Sequence, residues 1–390
     1  MLPGENVWRQ GVQPTKCPAL PKPSDADIVA IVANADKVRE CPSCRDAFTK
    51  TFRMPEMWWT TYSRKSNGYF GCETISDDLG GILEINSWAR FLVKVLDGES
   101  QDRYKWYKLN AFVQWVAATQ QTIILFFDPP PAMKMNIPNQ ILTNPRLDHL
   151  LDPFWAYTRL VEDVVSMQDV AVWTTRGHVR YTEKHRMTSL PPTPNYSKLH
   201  DLSRHIIHNT ETLDLAVKTV GNMLQQHSLL MDDLATILSR KAAHRSVHER
   251  LLFLEHMFQS LQCRSSSNKE RLQNEIQLAF NVVAEYDAEI SLQIGRATQS
   301  DSAAMKTIAF LTMAFLPATF ISAIFSTSFF SNDNGGWAVS SKMWVYWAFA
   351  IPVTVLTCLL WYYWQRNLAK AWASKNVGGG GGLQLRAMSS

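Results

Sequence analysis

Two histidine pairs are the first candidates for chemistry. His205 and His208 lie three residues apart, and His244 and His248 four apart. Either spacing puts both imidazoles on one face of a helix, where they could take Zn²⁺ or Ni²⁺. Neither pair has a third or fourth ligand nearby in sequence, so surface or core histidines are the plainer reading. Cys41-Pro42-Ser43-Cys44 is a lone CxxC with no second pair behind it, and a turn is expected there rather than zinc or redox chemistry. His178, in Arg176-Gly177-His178-Val179-Arg180, has no nucleophile or acid beside it. GxSxG, HExxH, paired-acid and P-loop motifs are all missing from the sequence, so an enzyme is not expected and no catalytic residue is assigned.

A different kind of candidate lies near the C-terminal end. Thr312, Thr319, Ser322, Ser326, Thr327 and Ser328 fall in a stretch, Thr307 to Asn332, with no Asp, Glu, Lys, Arg or His. Met305, Thr312, Thr319 and Ser326 are seven apart and, at about 100° per residue, stay near one helix face. Hydroxyls in hydrocarbon need partners, so this face should meet other helices or water. A second uncharged stretch, Met343 to Gln365, carries Trp344, Trp347, Trp361 and Trp364 with Tyr346, Tyr362 and Tyr363. Aromatic residues at both ends of a span mark the two membrane interfaces. Each stretch exceeds the roughly 20 residues that cross a bilayer core. Two spans cannot enclose an aqueous path alone, so two readings stand side by side: a ring of subunits around a pore, or a packed membrane anchor.

The rest of the chain must position these spans. It has 390 residues, 46% hydrophobic and 19% charged, with a net charge of +4. That balance has no block of like charge, so no nucleic-acid partner is expected. A mean hydropathy of −0.16 excludes a protein made mostly of spans. Sixteen of the 18 prolines precede Asn195, and none follows until Pro317. A window of that length without proline permits long helices. Within it Leu199, Ile206, Leu213, Val217, Val220, Leu224, Met231, Leu234 and Leu238 alternate at 3/4 spacing, with His227 among the polar interruptions. A loop is expected near Arg264-Ser265-Ser266-Ser267-Asn268, after which Leu272, Ile276, Ala279, Val283, Tyr286 and Ile290 repeat the rhythm. That second helix has no stop before Thr307 and is expected to run into the membrane. Upstream, Trp88 to Leu96 and Thr122 to Phe127 read as strands, the latter ended by Asp128-Pro129-Pro130-Pro131, and Asp152-Pro153 as a helix cap and first-turn proline.

The fold expected is an α/β (α+β) cytoplasmic domain, a long helical stalk and two C-terminal transmembrane helices. Its divisions are a poorly ordered 1–50, an α/β domain over 51–195, helical bundle and stalk over 196–306, an inner span 307–330, an external loop 331–342, an outer span 343–365 and a flexible tail 366–390. Arg296, Lys306, Arg366, Lys370 and Lys375 flank the spans, against Lys342 in the loop. That bias puts both termini in the cytoplasm. The start, Met1-Leu2-Pro3-Gly4-Glu5, has no apolar signal region, and the plasma membrane is the expected address.

The run Asp301-Ser302-Ala303-Ala304-Met305-Lys306-Thr307-Ile308, followed by Phe315-Leu316-Pro317-Ala318-Thr319-Phe320-Ile321, resembles the first transmembrane helix of the CorA divalent-cation transporter superfamily. Upstream, Asn67-Gly68-Tyr69-Phe70-Gly71-Cys72-Glu73, Lys105-Trp106-Tyr107, Leu151-Asp152-Pro153-Phe154-Trp155, Gly177-His178-Val179-Arg180, Leu199-His200-Asp201-Leu202 and Glu211-Thr212-Leu213-Asp214 are similar to its fungal branch. The resemblance covers residues 55 to 372. It implies a homopentameric funnel, gated through the stalk, that conducts divalent cations without nucleotide or resident cofactor. Mg²⁺ is the first cargo it suggests, with Zn²⁺, Ni²⁺ and Co²⁺ as the others. Its carry-over makes Met305, Ile308, Leu316 and Thr319 pore-lining, and the seven-residue spacing adds Thr312 to the same face. The family's filter, Gly-Met-Asn, falls on Ser326, Thr327 and Ser328. Hydroxyls can accept from a hydrated ion, but with shorter reach and without glycine's freedom. Asp333, repeated around a ring, would attract cations outside. Regulatory divalent ions held by carboxylates between subunits are implied, with Asp232, Asp233, Glu285, Asp287 and Glu289 as candidates. The alternative is a non-conducting, membrane-anchored oligomer that kept the funnel and lost the filter.

Overall fold

The computed structural model describes residues 7–9, 28–98, 102–130, 149–186, 190–234, 241–326, 330–333, 336–339 and 343–379. The chain divides into two compact units, Met1–Val283 and Ala284–Ser390.

Unit 1 is built on a six-stranded sheet of order β1-β2-β6-β5-β4-β3: β1 (Val7–Arg9), β2 (Ile28–Ala33), β3 (Gly68–Ser76), β4 (Ile82–Leu96), β5 (Tyr104–Val116) and β6 (Gln121–Phe127). Strands β1, β2 and β6 run parallel, and β6, β5, β4 and β3 pair antiparallel. Side chains alternate across a strand, and here both faces are covered. Ile124, Phe126, Ala111, Val113 and Trp115 enter one core, which they share with α4 (Trp155–Lys184), α5 (Tyr196–Leu234) and the start of α6 (Lys241–Phe325). Ile123, Leu125, Phe127 and Phe112 enter the opposite core, under α1 (Ala35–Glu40), α2 (Pro42–Phe52) and a 3₁₀ turn over Glu56–Trp59. A short helix α3 (Thr61–Lys65) precedes β3. Coverage of both faces explains why β2 and β6 read as unbroken apolar runs.

Residues 28–50, expected to be poorly ordered, are structured. All six residues of β2 are buried. Pairing with β6, 94 residues downstream at Ile28↔Thr122, gives that apolar run a buried place that local patterning could not reveal. Cys41 caps α2, its Sγ accepting from the Cys44 amide, so the CxxC is a helix start. The α/β domain thus begins well before residue 51, while 10–27 lie outside the described residues.

Glycine is required at Gly71. It pairs with Trp88 in β4, and a Cβ there would lie 2.4 Å from the Trp88 ring. Asp128, at φ 52°, turns the chain out of β6, and its Oδ2 accepts from the Ala35 amide at 3.1 Å.

The loop expected near 264–268 does not form: α6 runs unbroken through it. Ser265 and Asn268 are buried. Ser265 Oγ lies 2.8 Å from Thr210 Oγ1, and Asn268 Nδ2 donates to Val172 O at 3.5 Å. Ser265 and Asn268 therefore form a polar seam between helices, each bonded to a neighbouring helix without leaving helical geometry.

Unit 2 contains the C-terminal part of α6 and the helix α7 (Trp344–Gly379), each long and apolar enough to cross a membrane, with best windows of mean hydropathy 1.9 and 1.7. The first of these helices ends at Phe325, five residues short of the expected 330. Within the expected external loop, β7 (Phe330–Asp333) and β8 (Gly336–Val339) pair antiparallel. The tail expected from 366 is helical as far as Gly379, because Leu368 to Ala373 are mostly good helix formers with no proline among them. Residues 380–390 lie outside the described residues.

Candidate functional site

Two places concentrate polar groups in apolar surroundings: the spans of unit 2 and a histidine cluster in unit 1. On α6, Met305, Ile308, Thr312, Leu316 and Thr319 are all exposed. Thr312 Oγ1 donates to Ile308 O at 2.6 Å, and Thr319 Oγ1 lies 3.0 Å from Phe315 O and 2.9 Å from Leu316 O. Ser326 Oγ, in the turn that follows, reaches Ala323 O at 3.4 Å. Each hydroxyl is thus satisfied by its own helix while its side chain remains on the surface. Between the two spans, Tyr346 Oη donates to Ala318 O at 3.2 Å, and the Phe310 and Trp361 rings meet at 5.8 Å.

Of the other expected site residues, Thr327 and Ser328 lie outside the described residues. Asp232 and Asp233 sit at the end of α5 and Asp333 at the end of β7, with side chains outside the described part. Glu285, Asp287 and Glu289 are exposed on α6.

Among the described residues, one group of His, Cys, Asp and Glu side chains is spaced to share an ion: Asp152, His227 and His244, whose ligand atoms lie within 4.8 Å of one another. Asp152, His227 and His244 are 0%, 1% and 4% exposed. Asp152 leaves a 3₁₀ turn (His149–Leu151) ahead of α4, and its Oδ1 accepts from the Phe154 amide at 2.7 Å. Its Oδ2 stands 2.8 Å from both His227 Nε2 and His244 Nδ1. Burial on its own would raise the Asp152 carboxyl, but hydrogen bonds from the two imidazoles outweigh it and hold the group below its ordinary value.

An ionised carboxylate only accepts, so both facing ring nitrogens carry protons and donate. With the imidazole neutral, His227 Nδ1 is then an acceptor, 3.2 Å from His248 Nδ1, which donates to it. Among the described residues, His244 Nε2 is buried with no hydrogen-bond partner. Of the expected pair, then, His244 binds the carboxylate directly and His248 only through His227. The sequence reads Asp152-Pro153 as a helix cap and first-turn proline, but the helix begins at Trp155 with Phe154 at the cap position, and Asp152 Oδ1 instead holds the Phe154 amide in the turn before it; His227 reads as an interruption in an apolar seam. A histidine at a core position of a helix was the signal for the second.

The other histidine pair is split between two environments. His205 is buried against the Tyr104 ring at 5.2 Å, whereas His208 Nδ1 lies 2.9 Å from Lys94 Nζ. Lys94 is itself buried, 4.3 Å from the Tyr104 centroid and 5.1 Å from that of Trp106. Burial, with Arg204 nearby, brings the Lys94 ammonium down to about 8. His178 Nε2 meets Asp97 O at 3.1 Å, a contact between a helix and a strand end.

No protein-family model matches the chain. Notoamide biosynthesis cluster protein M′ of Aspergillus versicolor is 31% identical over 292 residues, covering 70% of this chain and 62% of that protein. The chain therefore spans about three-fifths of the length of this curated relative. Three solved structures are similar in part. The full-length CmaX protein aligns over 87% of each chain at 13% identity and a TM-score of 0.37. The ZntB cytoplasmic domain from Vibrio parahaemolyticus aligns over 68% of this chain and 91% of its own, at 11% identity and 0.37. The CorA magnesium transporter from Methanocaldococcus jannaschii aligns over 72% and 76%, at 12% identity and 0.31.

Proposed function

We propose that this chain is a CorA-like membrane channel or transporter for divalent cations, with the α6 spans of several copies facing one axis. The observation that carries the reading is the exposed hydroxyls of Thr312 and Thr319 on an apolar helix, with Met305 seven residues before Thr312 and Ser326 in the turn that follows. A stripe of hydroxyls at seven-residue spacing is wasted against lipid and useful against water or a neighbouring span. The motif resemblance in Asp301–Ile308 and Phe315–Ile321 supports the same reading. In this arrangement the copies form a homopentamer, both termini lie in the cytoplasm and the membrane is the plasma membrane. Thr319 and the constrictions at Met305, Ile308 and Leu316 line the path, Ser326 to Ser328 stand at the filter, and Asp333 gathers cations outside. Carboxylates among Asp232, Asp233, Glu285, Asp287 and Glu289 hold the regulatory ions. Mg²⁺, Zn²⁺, Ni²⁺ and Co²⁺ are the cargoes to compare.

A second reading, a non-conducting membrane-anchored oligomer with a scaffolding role, is favoured by two observations. The Thr312 and Thr319 hydroxyls are already bonded to their own carbonyls. Ser-Thr-Ser, moreover, replaces the family's Gly-Met-Asn. The name of the Aspergillus relative places that protein with a biosynthesis cluster, a setting in which an anchor for soluble enzymes is useful.

Ion flux through the purified protein in liposomes separates the two. Flux of any of the four ions, abolished by Thr319→Leu, establishes the pore. A folded pentamer that passes none of them leaves the anchor.

A further inference from the structure

We propose that Asp152, His227 and His244 bind one divalent transition-metal ion, with Zn²⁺ the best match, and that the ion fastens three helical segments of unit 1 together. This does not rest on the transport reading.

The three ligands come from separate places in the chain. Asp152 precedes α4, His227 lies in the C-terminal part of α5, and His244 sits in the first turn of α6. Nothing in a simple three-helix packing requires two imidazoles and a carboxylate to converge within 4.8 Å in the dry interior. Burying that many polar groups is costly unless each is fully bonded, and His244 Nε2 is not. Two nitrogens and one oxygen suit Zn²⁺, Co²⁺ or Ni²⁺; Mg²⁺ and Ca²⁺ prefer all-oxygen sites.

The geometry needs little adjustment. Tetrahedral zinc holds N and O ligands at about 2.0–2.2 Å, which sets the ligands roughly 3.4 Å apart. Asp152 Oδ2 is 2.8 Å from each nitrogen, so exchanging the two bridging protons for one ion asks each ring to retreat by about half an ångström. The outer contacts are those that a metal site uses. Asp152 Oδ1 is already held by the Phe154 amide. With the ion on Nε2, His227 carries its proton on Nδ1 and donates it to His248 Nδ1, 3.2 Å away. The His244 ring has no bond on Nε2 to oppose its turning toward the ion. Three protein ligands leave a fourth position for water.

The test uses the full chain in detergent with any affinity tag removed, stripped by a chelator and reloaded with Zn²⁺ or Co²⁺ alone. One ion per chain is expected by elemental analysis, together with an intense visible Co²⁺ spectrum of tetrahedral type. Zn²⁺, and not Mg²⁺, should raise the thermal midpoint. Asp152→Asn and His244→Gln should lose the ion and the spectrum. His248→Gln should keep both but bind about 10–100-fold more weakly. A stripped wild-type protein that is folded by circular dichroism yet takes up no Co²⁺ overturns the proposal, as do ligand variants that bind as tightly as wild type. In either case the cluster is a hydrogen-bonded network and nothing more. The wild-type spectrum needs no variant, so it decides the matter even where a variant misfolds. The ion count reads unit 1 and liposome flux reads the spans, so failure of either proposal is seen separately.

Discussion

The sheet domain and the apolar helices of unit 2 treat their polar side chains differently. In unit 1 some hydroxyls also bond within one helical turn, as Thr175 does to Ala171 O, but many polar groups bond to distant segments: Trp155 Nε1 donates to Thr122 Oγ1 and Tyr157 Oη to Ser87 Oγ, while Asp152 gathers His227 and His244. Arg90 alone donates to Ser66 O, Arg64 O and Asn110 Oδ1. In the spans Thr312, Thr319 and Ser326 bond within one helical turn, and Tyr346 crosses to the other helix. Polar bonds in unit 1 therefore specify which elements meet. Those in unit 2 leave most of the surface of two long apolar helices without polar bonds to other elements.

That contrast breaks most readily at Asp152. Asp152→Ala strands two imidazole donors in the core and should cost about 3–5 kcal/mol in denaturant unfolding followed by tryptophan fluorescence. A loss under about 1 kcal/mol would put the cluster on the same footing as the span hydroxyls.

A smaller effect of opposite sign is expected at Asp163 on α4. Burial, with Glu162 adding and Arg159 opposing, lifts its carboxyl to about 6. A folded value above the unfolded one favours the protonated native state. That stabilisation is complete below about pH 4 and is lost as pH rises through 6. Asp163→Asn should flatten stability between pH 4 and 6. It should also raise stability at pH 7 by about 1 kcal/mol, discounted for the partial exposure of the group. Unchanged pH dependence in thermal melts would show the carboxyl to be solvated.

Within the spans the expected effects shrink further. Tyr346→Phe removes the bond to Ala318 and should weaken span–span association by about 0.6 kcal/mol in reversible unfolding from detergent or bilayer. Thr319→Val removes a hydroxyl that its own helix already satisfies. It should change folding and assembly by less than about 0.5 kcal/mol, measured by native mass spectrometry and unfolding. A larger loss of oligomer would show that this hydroxyl bonds across a subunit boundary, which sharpens the comparison in favour of a built axis.

Much of the architecture was legible because it follows from period and proline. Strand β6 lies where the sequence places it and the helix runs on toward the first apolar stretch as expected, while β4 ends at Leu96 as expected but begins six residues earlier, at Ile82. What failed depended on partners far away in the chain. Ile28–Ala33 is a strand only because β6 lies beside it. Within helical Arg264–Asn268, Thr210 and Val172 meet the polar side chains of Ser265 and Asn268. The metal-like cluster was hidden for the same reason, since Asp152 looked like a cap and His227 like a blemish in an apolar seam. Several motif residues that carry the family resemblance are joints of the fold. Asn67 Nδ2 donates to Glu211 Oε1 at 2.6 Å, Gly71 makes room for Trp88, and Asp214 Oδ1 accepts from Gln262 at 2.7 Å.

The parallel pairing of β2 with β6 also sets a schedule for synthesis. Ile28 meets Thr122, so at about 5–20 residues per second the IVAIVA segment waits on the order of 5–20 s before its neighbour has been made. Strand β1 joins the sheet through β2 and must wait with it. During that interval the chain carries an uncharged, β-branched run with no place to hide, the kind of segment that chaperones hold and that nascent chains aggregate through.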